Sequence, residues 1–177
     1  MKLSRTQLRK IITEQVYGKN IMQIKRYFYT TTPFTGFRDV EQDPNPRSII
    51  GMWKPRGLWY ACGSSWKDWV LGPMGSPHWY DSYNHLYEIV INPQNVLFVT
   101  TAKEFEEFQD QYLSKKDRWK TAVDWPRISR QYAGIEICPY RPEFRMEDWY
   151  NPWDAASGCI WHEEGIVSIT EVDFNTI

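Results

Sequence analysis

The residues best suited to chemistry in this chain are its rings: ten tryptophans, eleven tyrosines and eight phenylalanines in 177 residues. Tryptophan stands at positions 53, 59, 66, 69, 79, 119, 125, 149, 153 and 161. An indole buries a large apolar face but needs a partner for its N–H, so it suits cleft walls and ligand platforms as well as cores. Any one of them taken singly reads as core or rim. Together they exceed what packing requires, and they predict an aromatic-lined cleft for a flat, planar ligand.

Several familiar chemistries are missing. The chain has no G-x-S-x-G elbow, no G-x-x-x-x-G-K-[ST] phosphate loop, no G-x-G-x-x-G and no H-E-x-x-H. His162-Glu163-Glu164 starts like a metal motif, yet the second histidine four residues on is absent. Cys62, Cys138 and Cys159 are odd in number and widely spaced, which fits neither a disulfide framework nor a zinc site.

The elements that must carry the rings can be read from periodicity. Residues 2–16 place Leu3, Leu8, Ile11, Ile12 and Val16 on one stripe, with a capping-box-like start at Ser4 to Gln7, and predict an amphipathic helix with Arg5, Arg9, Lys10 and Glu14 opposite. This segment is expected either to pack on the domain or to serve as a tail (residues 1–18) that docks on a partner. The β-branched and aromatic run before Pro33 predicts a strand near residues 24–31, and the Pro, Gly, Asp and Asn content of 33–48 predicts a long surface loop.

A second strand is expected over Gly57–Cys62, then a helix capped by Ser64 or Ser65 that puts Trp66 and Trp69 on one face. Residues 86–101 read as two strands around Asn92-Pro93-Gln94-Asn95. Thr101 opens a capping-box helix over 102–113, with Phe105, Phe108 and Tyr112 inward. A further helix is expected over 125–132, with Pro126 in its first turn, then strands at 135–138, from Ser157 to Trp161, and over 166–174. This irregular order predicts an α+β domain at 19–177.

The segments Tyr29-Thr30-Thr31, G-L-W-Y-A (57–61) with S-S-W-K-D-W, Y-E-I-V-I-N-P-Q-N-V-L-F-V, V-D-W-P-R-I-S-R-Q-Y-A-G-I-E-I and S-G-C-I-W follow one another in an order that resembles the ADP-ribosyltransferase fold. The resemblance spans roughly residues 22–174 by element order. It implies a split pair of small β-sheets holding NAD in a cleft between them. It also implies NAD contacts from Arg26, Tyr29, Thr30 and Thr31, where the family's Arg-Gly or His-Gly pair would stand; the glycine is absent here.

Trp59 or Tyr60 would stack on nicotinamide, with Ser64, Ser65 and Trp66 near the other side of the ring. The family's catalytic glutamate falls near Gly158, and the nearest carboxylates are Asp154, Glu163 and Glu164. The register is shifted by a few residues, or the catalyst differs, or transferase chemistry has been lost.

Breaking a glycosidic bond to nicotinamide develops positive charge on the ribose. A site for it needs a carboxylate in reach, a fixed stacking surface, and a donor for the pyrophosphate, for which Lys54, Arg56 and Arg26 qualify. The resemblance therefore implies NAD-dependent ADP-ribosyl transfer to a protein or nucleic-acid acceptor. The alternatives are a non-catalytic module that stacks nucleotides or single-stranded nucleic acid, and an interaction protein that docks through its first helix. The N-terminus is similar to starts found in tailed-phage proteins, which implies a phage-encoded protein in a host cytoplasm.

Lysine and arginine number 21 against 22 acidic residues, so there is no global field for nucleic acid or anionic membrane. The sequence contains neither an apolar run of the roughly 18 residues a membrane span needs nor the apolar core of a secretory signal, so a soluble cytoplasmic protein is expected.

Overall fold

The computed structural model describes residues 23–117 and 120–177. The helix expected over 2–16, the boundary of the 1–18 tail, and Trp119 lie outside these residues. The β-branched and aromatic runs form strands where expected: β1 (Arg26–Thr30), β2 (Leu58–Cys62), β3 (His85–Ile91), β4 (Val96–Val99), β7 (Gly134–Ile137), β8 (Ser157–Ile160) and β9 (Ile166–Val172). A ribbon of β5 (Leu113–Asp117) and β6 (Lys120–Val123) forms a second small sheet that periodicity did not reveal.

The helices are α1 (Ile49–Trp53), α2 (Ser65–Leu71), α3 (Pro77–Asp81), α4 (Ala102–Tyr112) and α5 (Trp125–Ser129). The fold is α+β. Helix α5 stops three residues short of the expected Tyr132, and α1 and α3 were unforeseen because each is one short turn flanked by Pro or Gly.

The large sheet runs β4-β7-β8-β2-β1-β3-β9, antiparallel throughout except for the parallel pair β4 and β7. Strands β3 and β4 are consecutive in the chain, yet they stand sixth and first in the sheet. Five residue steps from Ile91 to Val96 span at most ~18 Å, whereas five strand spacings in a flat sheet need ~24 Å. The sheet must therefore curl. Val96 and Phe98 of β4 accordingly share an apolar cluster with Ile89 and Ile91 of β3 and with Ile166 and Ile169 of β9.

Curling gives the sheet a closed inner face and an outer one. The inner face holds that cluster, with Tyr60 and Ile160. The outer face of the β4-β7-β8 arm is covered by α4, α5 and the loop after β7, which bury Phe105, Phe108, Trp125, Trp149, Tyr150, Trp153 and Trp161 against Ile135, Ile137 and Cys159. Helix α4 starts with the reciprocal Thr101–Glu104 capping box that its sequence predicts, and it turns Phe105, Phe108 and Tyr112 inward. The ring of Phe105 stacks on Phe144 at 4.1 Å. The outer face of β1 and β2 lacks this cover. The cleft lies there.

Candidate functional site

Strand alternation decides which rings reach that face. In β1 and β2, Tyr27 pairs with Ala61, and Ala61 pairs with Ser157 of β8, so these three form one row across the sheet. They border a cavity of about 200 Å3. Tyr29, Tyr83, Trp66, Lys54, Trp59 and Asp154 also line it. The rings of Tyr29 and Tyr83 lie 5.5 Å apart, and the Trp66 indole N–H donates to the Tyr83 hydroxyl at 3.3 Å.

Trp59 is fixed from two directions. Its ring meets Trp153 edge-on at 4.9 Å, and the Lys54 ammonium sits 4.3 Å from its centroid. The same ammonium donates to the Pro152 carbonyl at 2.9 Å. Burial lowers the Lys54 pKa against the raising pull of Asp154, and burial raises that of Asp154 against the lowering pull of Lys54. The Tyr29 hydroxyl is buried without a hydrogen-bond partner among the described residues, and burial pushes its pKa up. Such a group loses its desolvation penalty when a ligand supplies an acceptor.

Six of the residues singled out from sequence thus border one cavity: Tyr29, Lys54, Trp59, Tyr60, Trp66 and Asp154. The others lie elsewhere. Thr30 and Thr31 continue past Tyr29 at the strand end, where Thr30 Oγ1 donates to the Thr32 carbonyl and the Thr31 carbonyl accepts from Asn84. The Ser64 hydroxyl is committed to Asp68 and that of Ser65 to the Ala156 carbonyl. Glu163 and Glu164 form an exposed turn past the far end of β8; the Glu163 amide donates to Asp39, and the Glu164 carbonyl accepts from Asn92 and Asn95.

Arg26 faces the closed side. Its Nε and Nη2 donate to the two oxygens of Glu136 at 2.5 and 2.9 Å, and the Tyr60 phenol donates to the same carboxylate at 2.9 Å. Burial opposes the Arg26 charge, but Glu136 overcomes it and the pKa is raised; burial also raises that of Tyr60. Gly158 makes this triad possible. It lies between its pairing partners Tyr60 and Glu136, and a Cβ there would overlap the end of the Tyr60 ring. The position expected to carry a catalytic glutamate is the glycine over which Tyr60 crosses.

Cys62, Glu136 and Cys138 bring ligand atoms within 4.8 Å of one another, a grouping that sequence spacing gave no sign of. The Glu136 oxygens are already engaged by Arg26 and Tyr60, and burial raises the pKa of the Cys62 thiol. The group reads as an ion pair flanked by two thiols.

Among the described tryptophans, four are in the core and two, Trp59 and Trp66, border the cavity. Trp125, Trp149, Trp153 and Trp161 are at most 2 % exposed and build the core, whereas Trp66, Trp69 and Trp79 form a ladder of near-parallel rings, 5.0 and 6.1 Å apart. It runs from the cavity to Trp79, which is 51 % exposed. Among the described residues, no helix is long and apolar enough to cross a membrane. Compared with protein-family models, with curated proteins and with solved structures, the chain matches none.

Proposed function

We propose that the chain is an NAD-dependent ADP-ribosyltransferase that releases nicotinamide and modifies a protein or nucleic-acid acceptor. The observation that carries this reading is the convergence of Tyr29, Trp59, Trp66 and Asp154, from four separate segments, on one cavity beside Gly57-Leu58-Trp59-Tyr60-Ala61. One continuous seven-stranded sheet, curled until its ends share a core, stands where the resemblance implies a split pair, and the cavity lies on its outer face.

At about 200 Å3 the cavity is smaller than the roughly 300–1,000 Å3 typical of whole-ligand sites. It fits the nicotinamide ring and its ribose better than a complete dinucleotide. In the reaction, the bond between ribose C1 and the nicotinamide nitrogen breaks with its electron pair leaving on nitrogen. The acceptor then attacks C1 with a lone pair, forming the new glycosidic bond, and gives up its proton to solvent water. Asp154, three residues before β8, is the carboxylate that faces the developing positive charge. The Tyr29 hydroxyl is the donor for a ligand carbonyl.

The test is incubation with NAD labelled in the nicotinamide ring. Free nicotinamide is expected, with Asp154→Asn and Trp59→Ala each slowing release by about 100-fold. Neither release nor measurable NAD affinity would remove the reading.

The indole ladder favours a second reading, a non-catalytic module that stacks nucleotides or single-stranded nucleic acid. Its exposed end, Trp79, presents a ring face on which a base gains about 1–3 kcal/mol. Fluorescence quenching by oligonucleotides that is lost in Trp79→Ala, without turnover of NAD, selects it.

A further inference from the structure

A larger cavity of about 720 Å3 adjoins the aromatic one and shares Lys54 and Trp59 with it. The chain between β1 and β2 forms its wall. Arg47, Lys54 and Arg56 supply three cations, and Asp43 is the single carboxylate on the lining. Asp43 is turned to its own loop, where it accepts from the Asn45 amide at 2.8 Å. Among the described residues, neither Arg47 nor Arg56 has a carboxylate within 4 Å. Two exposed guanidinium groups without an internal counter-ion, facing one concavity, form a receptor for an external anion.

The wall is held in place. Buried Gln42 grips the backbone of Arg56 from both sides, donating to its carbonyl at 2.8 Å and accepting from its amide at 3.0 Å. Arg47 precedes Ser48, whose hydroxyl caps α1 by accepting from Gly51 at 3.0 Å. The far end of α1 is anchored by the Trp53 indole on the Thr121 carbonyl. The backbone of Arg56 is fixed before an anion arrives, which lowers the ordering cost of binding there.

We propose that this cavity is a diphosphate site, so that a dinucleotide lies across Trp59 with its nicotinamide half among the rings and its diphosphate on Arg47, Arg56 and Lys54. Naming NAD as the dinucleotide rests on the proposed function; the diphosphate site itself does not. The placement keeps Lys54 and Arg56 of the three cations that the sequence offers for the pyrophosphate, adds Arg47, and leaves out Arg26. That guanidinium is spent on Glu136 on the other face of the sheet.

Calorimetric titration of the full chain with ADP, AMP, adenosine and inorganic pyrophosphate tests it. ADP is expected to bind at least about tenfold more tightly than adenosine, with AMP between, to be displaced by pyrophosphate, and to weaken as salt rises. Arg47→Ala with Arg56→Ala is expected to lower ADP affinity by about tenfold or more and to leave the quenching of tryptophan fluorescence by nicotinamide unchanged, while Arg47→Lys with Arg56→Lys recovers part of the loss. Equal affinity for ADP and adenosine, or no effect of the double alanine variant, overturns the proposal. ADP binding that depends on the arginines without nicotinamide release from NAD keeps this site and removes the transferase. Nicotinamide release with an unchanged KM for NAD in the double alanine variant does the reverse.

Discussion

Asp154 and Lys54 face one another's fields beside a tryptophan ring, and burial moves their proton affinities in opposite directions. For Asp154 the folded state holds its proton more tightly than the unfolded chain. Its contribution to stability is therefore full below the ordinary value of 3.8 and is lost as pH rises through the raised folded value. Thermal melts of wild type and Asp154→Asn across that window are expected to show the decline in wild type and its absence in the variant; parallel curves would mean that the carboxylate is as hydrated as in the unfolded chain. Under the proposed function the same residue would set the acid limb of nicotinamide release. It was legible as one of three carboxylates near β8, and only folding separated it from Glu163 and Glu164. Arg26 was legible as a cation on β1, but its fate depended on Glu136, 110 residues away, which no local pattern announces.

Most of the strands and α4 were written in short-range pattern: alternation in β2 and β3, and a capping box at Thr101. Less legible were α1 and α3, single turns in which no residue is buried, and the β5–β6 ribbon, where polar residues give no alternation. Expected strand order was harder still, because β3 and β4 look like neighbours across a turn and are in fact five places apart. At this scale Gly158 carries the sharpest prediction. A methyl group there meets Tyr60 on one side and the Ile135 carbonyl on the other, within the row that joins β2, β8 and β7. Gly158→Ala is expected to cost about 1–3 kcal/mol by overpacking, read from the denaturant midpoint at unchanged slope. A cost within a few tenths would show that the Tyr60 phenol leaves Glu136 easily.

For the whole molecule the governing fact is the curl, since the connection at Asn92–Asn95 is too short for a flat sheet. That turn is also tied down, with Asn92 and Asn95 donating to the Glu164 carbonyl and the Asn92 amide donating to Gly165. Deleting Gln94 is expected to destabilise the protein by about 3 kcal/mol, the upper end of the usual single-site range, because it pulls two strands of one core out of register. Urea unfolding measures this, and a loss below about 0.5 kcal/mol would mean that the arms of the sheet do not depend on one another.

The two proposed subsites have walls of unequal stiffness. Their floor is a sheet whose terminal strands share one core, so prising it open would strip apolar surface from both ends at once. Their outer rim is made of α1 and α3, short helices without a buried residue, and of α2, which buries Val70 alone. Any adaptation to cargo therefore falls to the rim, where Arg47 and the indole ladder reside, while the ring-bearing floor stays put. Ligand closure in this protein would be the movement of a hem on a rigid cuff.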